Sequence, residues 1–284
     1  MAKPFVGAEA ISDGTLTRGQ LRWNYSALLP GVYLAKDAKR TVFTNAMAAW
    51  LWTGRTAIIT GRAAAALHGA KWVDASTPID VIAEHTRRRA GVIVHEERIA
   101  DDEITFVGEL PVTTPARTAL NIARHLRRNL AVAHLDALAA STGVTSADAL
   151  ALLDRYRGAR GIRAARTALA LMDGGAESPR ETWLRLVLID AGLPAPRTQI
   201  RVSDGVHEAF IDMGYDEPMV GLDYEGRHHS DDRDQYVYDI GRAELIERQN
   251  WIDIRVVAEH SRRFTLHRVH AALSRRSWAP PKSA

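Results

Sequence analysis

No cysteine occurs among the 284 residues, which excludes disulfide scaffolds, cysteine nucleophiles and cysteine-based zinc sites. No apolar run approaches the roughly 20 residues needed to cross a bilayer. The opening Met1-Ala2-Lys3-Pro4-Phe5 lacks the apolar core and cleavage site of a signal peptide. A cytoplasmic protein with no membrane partner is the expectation. There is no Gly-x-Ser-x-Gly elbow and no His-Glu-x-x-His helix. The histidines do not follow zinc-ligand spacing, and no aromatic stripe for stacking polynucleotide bases is visible. The small-residue run Gly61-Arg62-Ala63-Ala64-Ala65-Ala66-Leu67-His68-Gly69 lacks the glycine spacing and Lys-Ser/Thr pair of a phosphate loop.

What is present is an ordinary globular composition, 46% apolar and 25% charged, in a chain long enough for two or three compact units. The net charge of +3 is unevenly spread: residues 1–172 hold 22 Lys/Arg against 15 Asp/Glu, the remainder 15 against 19. A basic half ahead of an acidic half suits a protein in which one part holds phosphates and another a metal. Arginines scattered over solvated faces give the same count.

The acidic half is the more informative. Ala209-Phe210-Ile211-Asp212 closes one apolar stretch, and after ten intervening residues comes Asp223, within Met219-Val220-Gly221-Leu222-Asp223-Tyr224-Glu225-Gly226. In a strand, residues two apart share a face, so Asp223 and Glu225 point together. A turn at Tyr215-Asp216-Glu217-Pro218 can fold Asp212 beside them. Carboxylates brought together repel unless a cation, a proton or an arginine sits among them. A hard divalent ion is the usual occupant, and two-metal phosphodiester hydrolysis its usual use. Glu181 lies in the first turns of a helix with Pro179 at its favoured first position. It either orients a metal, in competition with Glu177, or caps the helix and pairs with Arg185.

The same residues carry a resemblance. Ser178-Pro179-Arg180-Glu181-Thr182-Trp183-Leu184-Arg185, Gly192-Leu193-Pro194, Gln199, Asp212, Leu222-Asp223-Tyr224-Glu225-Gly226 with His228-His229, Asp239-Ile240-Gly241-Arg242 and Asn250-Trp251 stand in order. Together they resemble the Vsr-like, very-short-patch-repair type of endonuclease domain in the PD-(D/E)XK superfamily. The resemblance implies an α/β restriction-endonuclease fold with a mixed central sheet over residues 175–284. It implies Mg²⁺ or Mn²⁺ held by Asp212, Asp223 and Glu225, with Glu181 and His229 as further catalytic residues. Gln199, His228 and Arg242 would sit around the substrate. Glu225 stands where the superfamily carries lysine, which removes that lysine as an activator of water. Only one of His228 and His229 can face the site in an extended segment, and a polar surface loop accounts for both equally well. Asp239 and Arg242 either pair with each other, or Arg242 reaches a phosphate.

The first half reads as α+β. Residues 1–54 suggest an abbreviated winged-helix-like module, with a helix capped by Thr15 or Thr17, a turn at Pro30-Gly31 and a helix from Val42 to Trp52. Residues 55–125 form a small α/β unit with strands at Pro78–Ile82 and Gly91–His95 and a basic turn Arg87-Arg88-Arg89. Pro30-Gly31-Val32-Tyr33, the Gly61–Gly69 run and Leu110-Pro111-Val112-Thr113-Thr114-Pro115-Ala116-Arg117-Thr118 resemble the AbiEi-type antitoxin family over residues 12–125. That resemblance implies DNA binding and a protein partner in a toxin–antitoxin pair. Residues 126–174 read as a helical connector in which Arg155, Arg157, Arg160, Arg163 and Arg166 fall within twelve positions and are candidates for DNA phosphate contacts. The expectation is Mg²⁺-dependent DNA cleavage in repair or phage defence; the alternative is a catalytically silent, antitoxin-like DNA-binding regulator.

Overall fold

Glycines and capping residues punctuate the first part of the chain into short elements. The computed structural model describes residues 3–84, 89–226 and 233–280, the side chains of residues 234–236 excepted. It divides into two units, Met1–Gly174 and Gly175–Ala284. The first opens with β1 (Phe5–Val6), α1 (Gly7–Ser12), α2 (Arg18–Asn24), β2 (Tyr25–Leu29), β3 (Val32–Ala35) and α3 (Val42–Trp52). Thr17 and Gln20 cap α2 reciprocally, the Thr17 hydroxyl accepting from the Gln20 amide at 3.2 Å and Gln20 Oε1 from the Thr17 amide at 2.8 Å. Thr17, not Thr15, is therefore the N-cap. Thr41 and Thr44 do the same for α3. The strands pair antiparallel in the order β1-β3-β2.

There follow β4 (Ile58–Thr60), α4 (Gly61–Leu67), β5 (Ile79–Ile82), β6 (Val92–His95), β7 (Ile104–Val107) and β8 (Leu110–Thr113). They form a mixed sheet in the order β6-β5-β4-β8-β7, in which β4–β8 and β5–β6 run parallel. One apolar core, including Leu29, Val32, Met47, Ile59, Val81 and Val112, spans the first 54 residues and this sheet. Helices α5 (Pro115–His125), α6 (Arg128–Thr142), α7 (Ser146–Ala151) and α8 (Ile162–Leu169) complete the unit. After α7 the chain tightens into a 3-10 turn over Leu152–Tyr156, which brings the Tyr156 hydroxyl 2.6 Å from Glu103.

The Leu110–Thr118 stretch has a clear physical role. Thr114 caps α5, Pro115 takes its first turn, and the Thr113 hydroxyl joins those of Thr60 and Thr118 in a buried cluster. Arg117 is fully buried. Its guanidinium donates to Glu103 at 2.5 Å, Glu97 at 3.0 Å, Asn121 at 3.0 Å and the Arg98 carbonyl at 3.2 Å, and it lies over the Tyr156 ring at 4.3 Å.

The second unit runs α9 (Pro179–Ile189), β9 (Arg197–Ser203), β10 (Glu208–Tyr215), β11 (Val220–Glu225), α10 (Arg233–Arg248), β12 (Ile252–Val257) and α11 (Arg262–Arg275). The sheet order is β12-β11-β10-β9, antiparallel except for the parallel β11–β12 pair. Leu184 and Leu188 of α9 and Val269 and Leu273 of α11 pack with Leu222 and Val256. Leu245 and Ile246 of α10 pack with Ile200, Ala209 and Ile211. Helices thus cover both faces of a mixed sheet.

Removing a charge from a buried pair strands its partner and costs about 3–5 kcal/mol. Arg117→Met should therefore lower the unfolding free energy by about that amount in urea titrations. A loss below about 1 kcal/mol would show that Glu103 and Glu97 do not depend on Arg117.

Candidate functional site

The acidic residues of the second unit are positioned by local rules first. Ser178 caps α9, its Oγ accepting from the Glu181 amide at 3.2 Å, and Glu181 Oε2 accepts from the Glu177 amide at 2.8 Å. Glu181 is thus a buried capping residue. Burial raises its pKa, and the charges of Glu177 and Asp223 add to the rise.

The β10–β11 hairpin brings Asp212 and Asp223 together. Asp223 Oδ1 accepts from the Asp212 amide at 2.9 Å, and Asp212 Oδ2 accepts from the Tyr224 amide at 2.7 Å. Asp223 is buried, and its Oδ2 accepts from Arg242 of α10 at 2.6 Å. The same guanidinium donates to the Phe210 carbonyl. The ion pair of Arg242 is thus with Asp223, not with Asp239 three residues away. Glu225 shares the Asp223 strand and pairs with Arg255 of β12 at 3.1 Å.

The ladder breaks at this point. Ile211 pairs with Ile200 and Met213 with Thr198, and between them Gln199 stands opposite Asp212 in left-handed backbone at φ +49°. Ile211 packs with α10 and Met213 with α9 and α11, so the inward face of β10 changes across Asp212. Left-handed backbone in a non-glycine strand residue costs on the order of 1–3 kcal/mol, and such strain gathers at functional sites.

Burial and the neighbouring Asp223 charge push the Asp212 carboxyl up to about 7. Asp253 on β12 is raised to about 7 by the same two causes, and its Oδ1 is buried with no hydrogen-bond partner. Sequence reasoning missed Asp253 and Arg255. The alternation Ile252-Asp253-Ile254-Arg255 carried the signal, since it sets both on the face that Gly221 and Asp223 occupy across the ladder. Asp212, Asp223, Glu225, Asp239, Arg242 and Arg255 line a cleft of about 440 Å³.

The geometry can be tested against a shared divalent ion at Asp212, Asp223 and Glu225. Both Asp223 oxygens already accept hydrogen bonds, and Glu225 is drawn to Arg255. Among the described residues of this unit, no three acidic or histidine side chains bring ligand atoms within 4.8 Å of one another. The trio as arranged does not fit a shared ion; two guanidiniums and a raised pKa answer the repulsion instead. His228 and His229 lie outside the described residues.

The five arginines of the first unit separate. Arg155 pairs with Asp102 and Glu103, and Arg157 with Asp154. Arg160, Arg163 and Arg166 are exposed, and their guanidiniums make no ion pair among the described residues. Arg163 and Arg166 lie one helical turn apart on α8.

A carboxyl whose folded pKa exceeds its unfolded value contributes stability below the unfolded pKa and loses it as pH rises through the folded one. For Asp212 that window runs from about 4 to about 7. Asp212→Asn keeps an acceptor for the Tyr224 amide and cannot ionise. At pH 8 its unfolding free energy should exceed that of wild type by on the order of 1–2 kcal/mol after allowing for partial exposure. The advantage should vanish at pH 4. An equal difference at both pH values would show that Asp212 does not titrate in this window.

The model of the AbiEi antitoxin C-terminal domain matches residues 47–173. The match overlaps the sequence resemblance over residues 47–125, leaves out residues 12–46 with Pro30-Gly31-Val32-Tyr33, and runs on through α6, α7 and α8 with their arginines. Two uncharacterized proteins of Mycobacterium tuberculosis, one from strain CDC 1551 and one from strain H37Rv, are each 30% identical over 236 residues. The match covers 82% of this chain and 85% of each relative. The chain belongs to the same family as these mycobacterial proteins, and over residues 47–173 it carries the AbiEi antitoxin C-terminal domain.

Proposed function

We propose that the protein is an antitoxin-type, DNA-binding regulator of a toxin–antitoxin or abortive-infection system, with a protein toxin as its partner. On this reading its second unit is a Vsr-like PD-(D/E)XK scaffold that no longer turns over. The match to the antitoxin domain supports the regulatory role. A helix, three antiparallel strands, a helix and a parallel strand, with the acidic residues on β10 and β11, support the scaffold. The observation that carries the loss of turnover is the 2.6 Å pair between Arg242 and Asp223. On this reading Arg242 takes up the carboxylate that a nuclease metal would need. DNA contact falls to the exposed Arg163 and Arg166.

Each phosphate neutralised contributes about 0.9 to the slope of log affinity against log salt. In gel shifts over a salt series, Arg163→Ala/Arg166→Ala should bind duplex DNA more weakly and reduce that slope by about 2. Asp212→Ala should bind as wild type does. Undiminished binding by the arginine variant would overturn the DNA reading.

A second reading, Mg²⁺- or Mn²⁺-dependent hydrolysis of DNA phosphodiester bonds, is favoured by one observation. Glu181 and Asp223 are buried and, with Asp212, close enough to perturb one another beside an open cleft. It requires Arg242 and Arg255 to release their carboxylates. Plasmid incubated with the protein and Mg²⁺ should remain supercoiled. Nicking by wild type that Asp223→Asn abolishes would make the second reading the correct one.

A further inference from the structure

The first unit holds a separate constellation that the proposed function leaves unused. A cleft of about 850 Å³ has Glu97 and Arg98 on one wall, Arg157 and Arg160 on the other, and Arg124 and His125 of α5 between them. Arg124 ties the walls together: it donates to Glu97 at 2.8 Å and to the Arg160 carbonyl at 3.1 Å. Gly161, at φ +84°, lets the second wall approach α5 so closely that a Cβ there would stand 2.6 Å from the Arg124 carbonyl oxygen. Only glycine fits such an approach. His125 Nε2 lies 2.8 Å from Glu97 Oε1, and its ring stacks on His95 at 4.1 Å. His95 in turn bonds the buried Asp80 at 2.9 Å.

Two charges in this cleft are unanswered. Arg98 and Arg160 are exposed, and neither guanidinium has a partner among the described residues. Their backbones are held nonetheless, because the Arg98 carbonyl accepts from Arg117 and the Arg160 carbonyl from Arg124. A frame of hydrogen-bonded ion pairs therefore presents two free guanidiniums in the lining of one pocket.

A metal and an anion compete as occupants. His95, Glu97 and His125 bring ligand atoms within 4.8 Å of one another, and two histidines with a carboxylate are a zinc donor set. Yet Glu97 already accepts from His125, Arg124 and Arg117. Although burial opposes it, His125 and Arg124 hold the carboxyl down to about 2. A dication bound there would face both guanidiniums at close range. An anion meets the opposite field, with four arginines against two glutamates in the lining.

We infer that this cleft is a receptor for a small phosphorylated anion, gripped by Arg98 and Arg160 from the two walls and supported by Arg124. Guanidinium forks match phosphate oxygens in pairs, and the volume falls in the range of small-ligand pockets. The ligand is a small molecule: Arg163 and Arg166, the arginines assigned to the DNA backbone, do not line the cleft.

The test is calorimetric titration of inorganic pyrophosphate into the full chain. Wild type should bind at one site. Arg98→Gln/Arg160→Gln, which keeps both carbonyls and their hydrogen bonds, should bind about tenfold more weakly or worse and unfold at the wild-type temperature. Absence of binding by wild type, or equal binding by the double variant, overturns the proposal. Repeating the titration with a saturating short duplex present separates the phosphate sources. An unchanged isotherm supports a small-molecule receptor, and displacement by DNA assigns these arginines to backbone contact and overturns it. Zn²⁺ alone is the last probe. Zn²⁺ binding that His125→Ala abolishes and Arg98→Gln/Arg160→Gln leaves intact would make the cleft a metal centre and sink the anion reading.

Discussion

A carboxylate taken out of water needs a cation, a proton or several hydrogen-bond donors, because an unanswered buried charge costs several kcal/mol. Both units are organised around that constraint. In the first, Glu103 and Glu97 are answered by Arg117. In the second, Asp223 is answered by Arg242 and by the Asp212 amide. These links join elements that the chain separates widely: the turn before β7 to α5, and β11 to α10.

In the second unit the constraint also decides what the acidic cluster can do. Asp223 pairs with Arg242, Glu225 pairs with Arg255, and burial together with the Asp223 charge raises Asp212 and Asp253 to about 7. As arranged, Asp223 and Glu225 meet protein cations rather than one shared ion. Beside the cluster, Gln199 adopts left-handed backbone opposite Asp212 and β10 changes its inward face.

In the first unit the same constraint yields a different surface. Glu97 draws Arg117, Arg124 and His125 to itself, and the carbonyls that Arg117 and Arg124 also bind hold Arg98 and Arg160 in place. The buried part of the network is closed and neutralised, whereas its exposed arginines are not. Structural ion pairing and a receptive cationic pocket are here two ends of one set of hydrogen bonds.

Much of this was legible in the sequence. The helix from Val42 to Trp52 and the start of α9 at Ser178-Pro179 could be read directly, the start of α2 only as Thr15 or Thr17, and the period of two set Asp223 beside Glu225 on one strand face. The turn after Tyr215 was enough to bring Asp212 to Asp223. Each of these rests on contacts a few residues apart or on the geometry of one hairpin. The sequence could not choose partners for charges. Arg242 had Asp239 three residues away and took Asp223, 19 residues away; Arg117, ordinarily a surface type, became fully buried; and the five arginines before Met172 divided into paired and free. Helix packing on the sheet decided those outcomes, because it determines which carboxylates lose water and which cation lies within reach when they do.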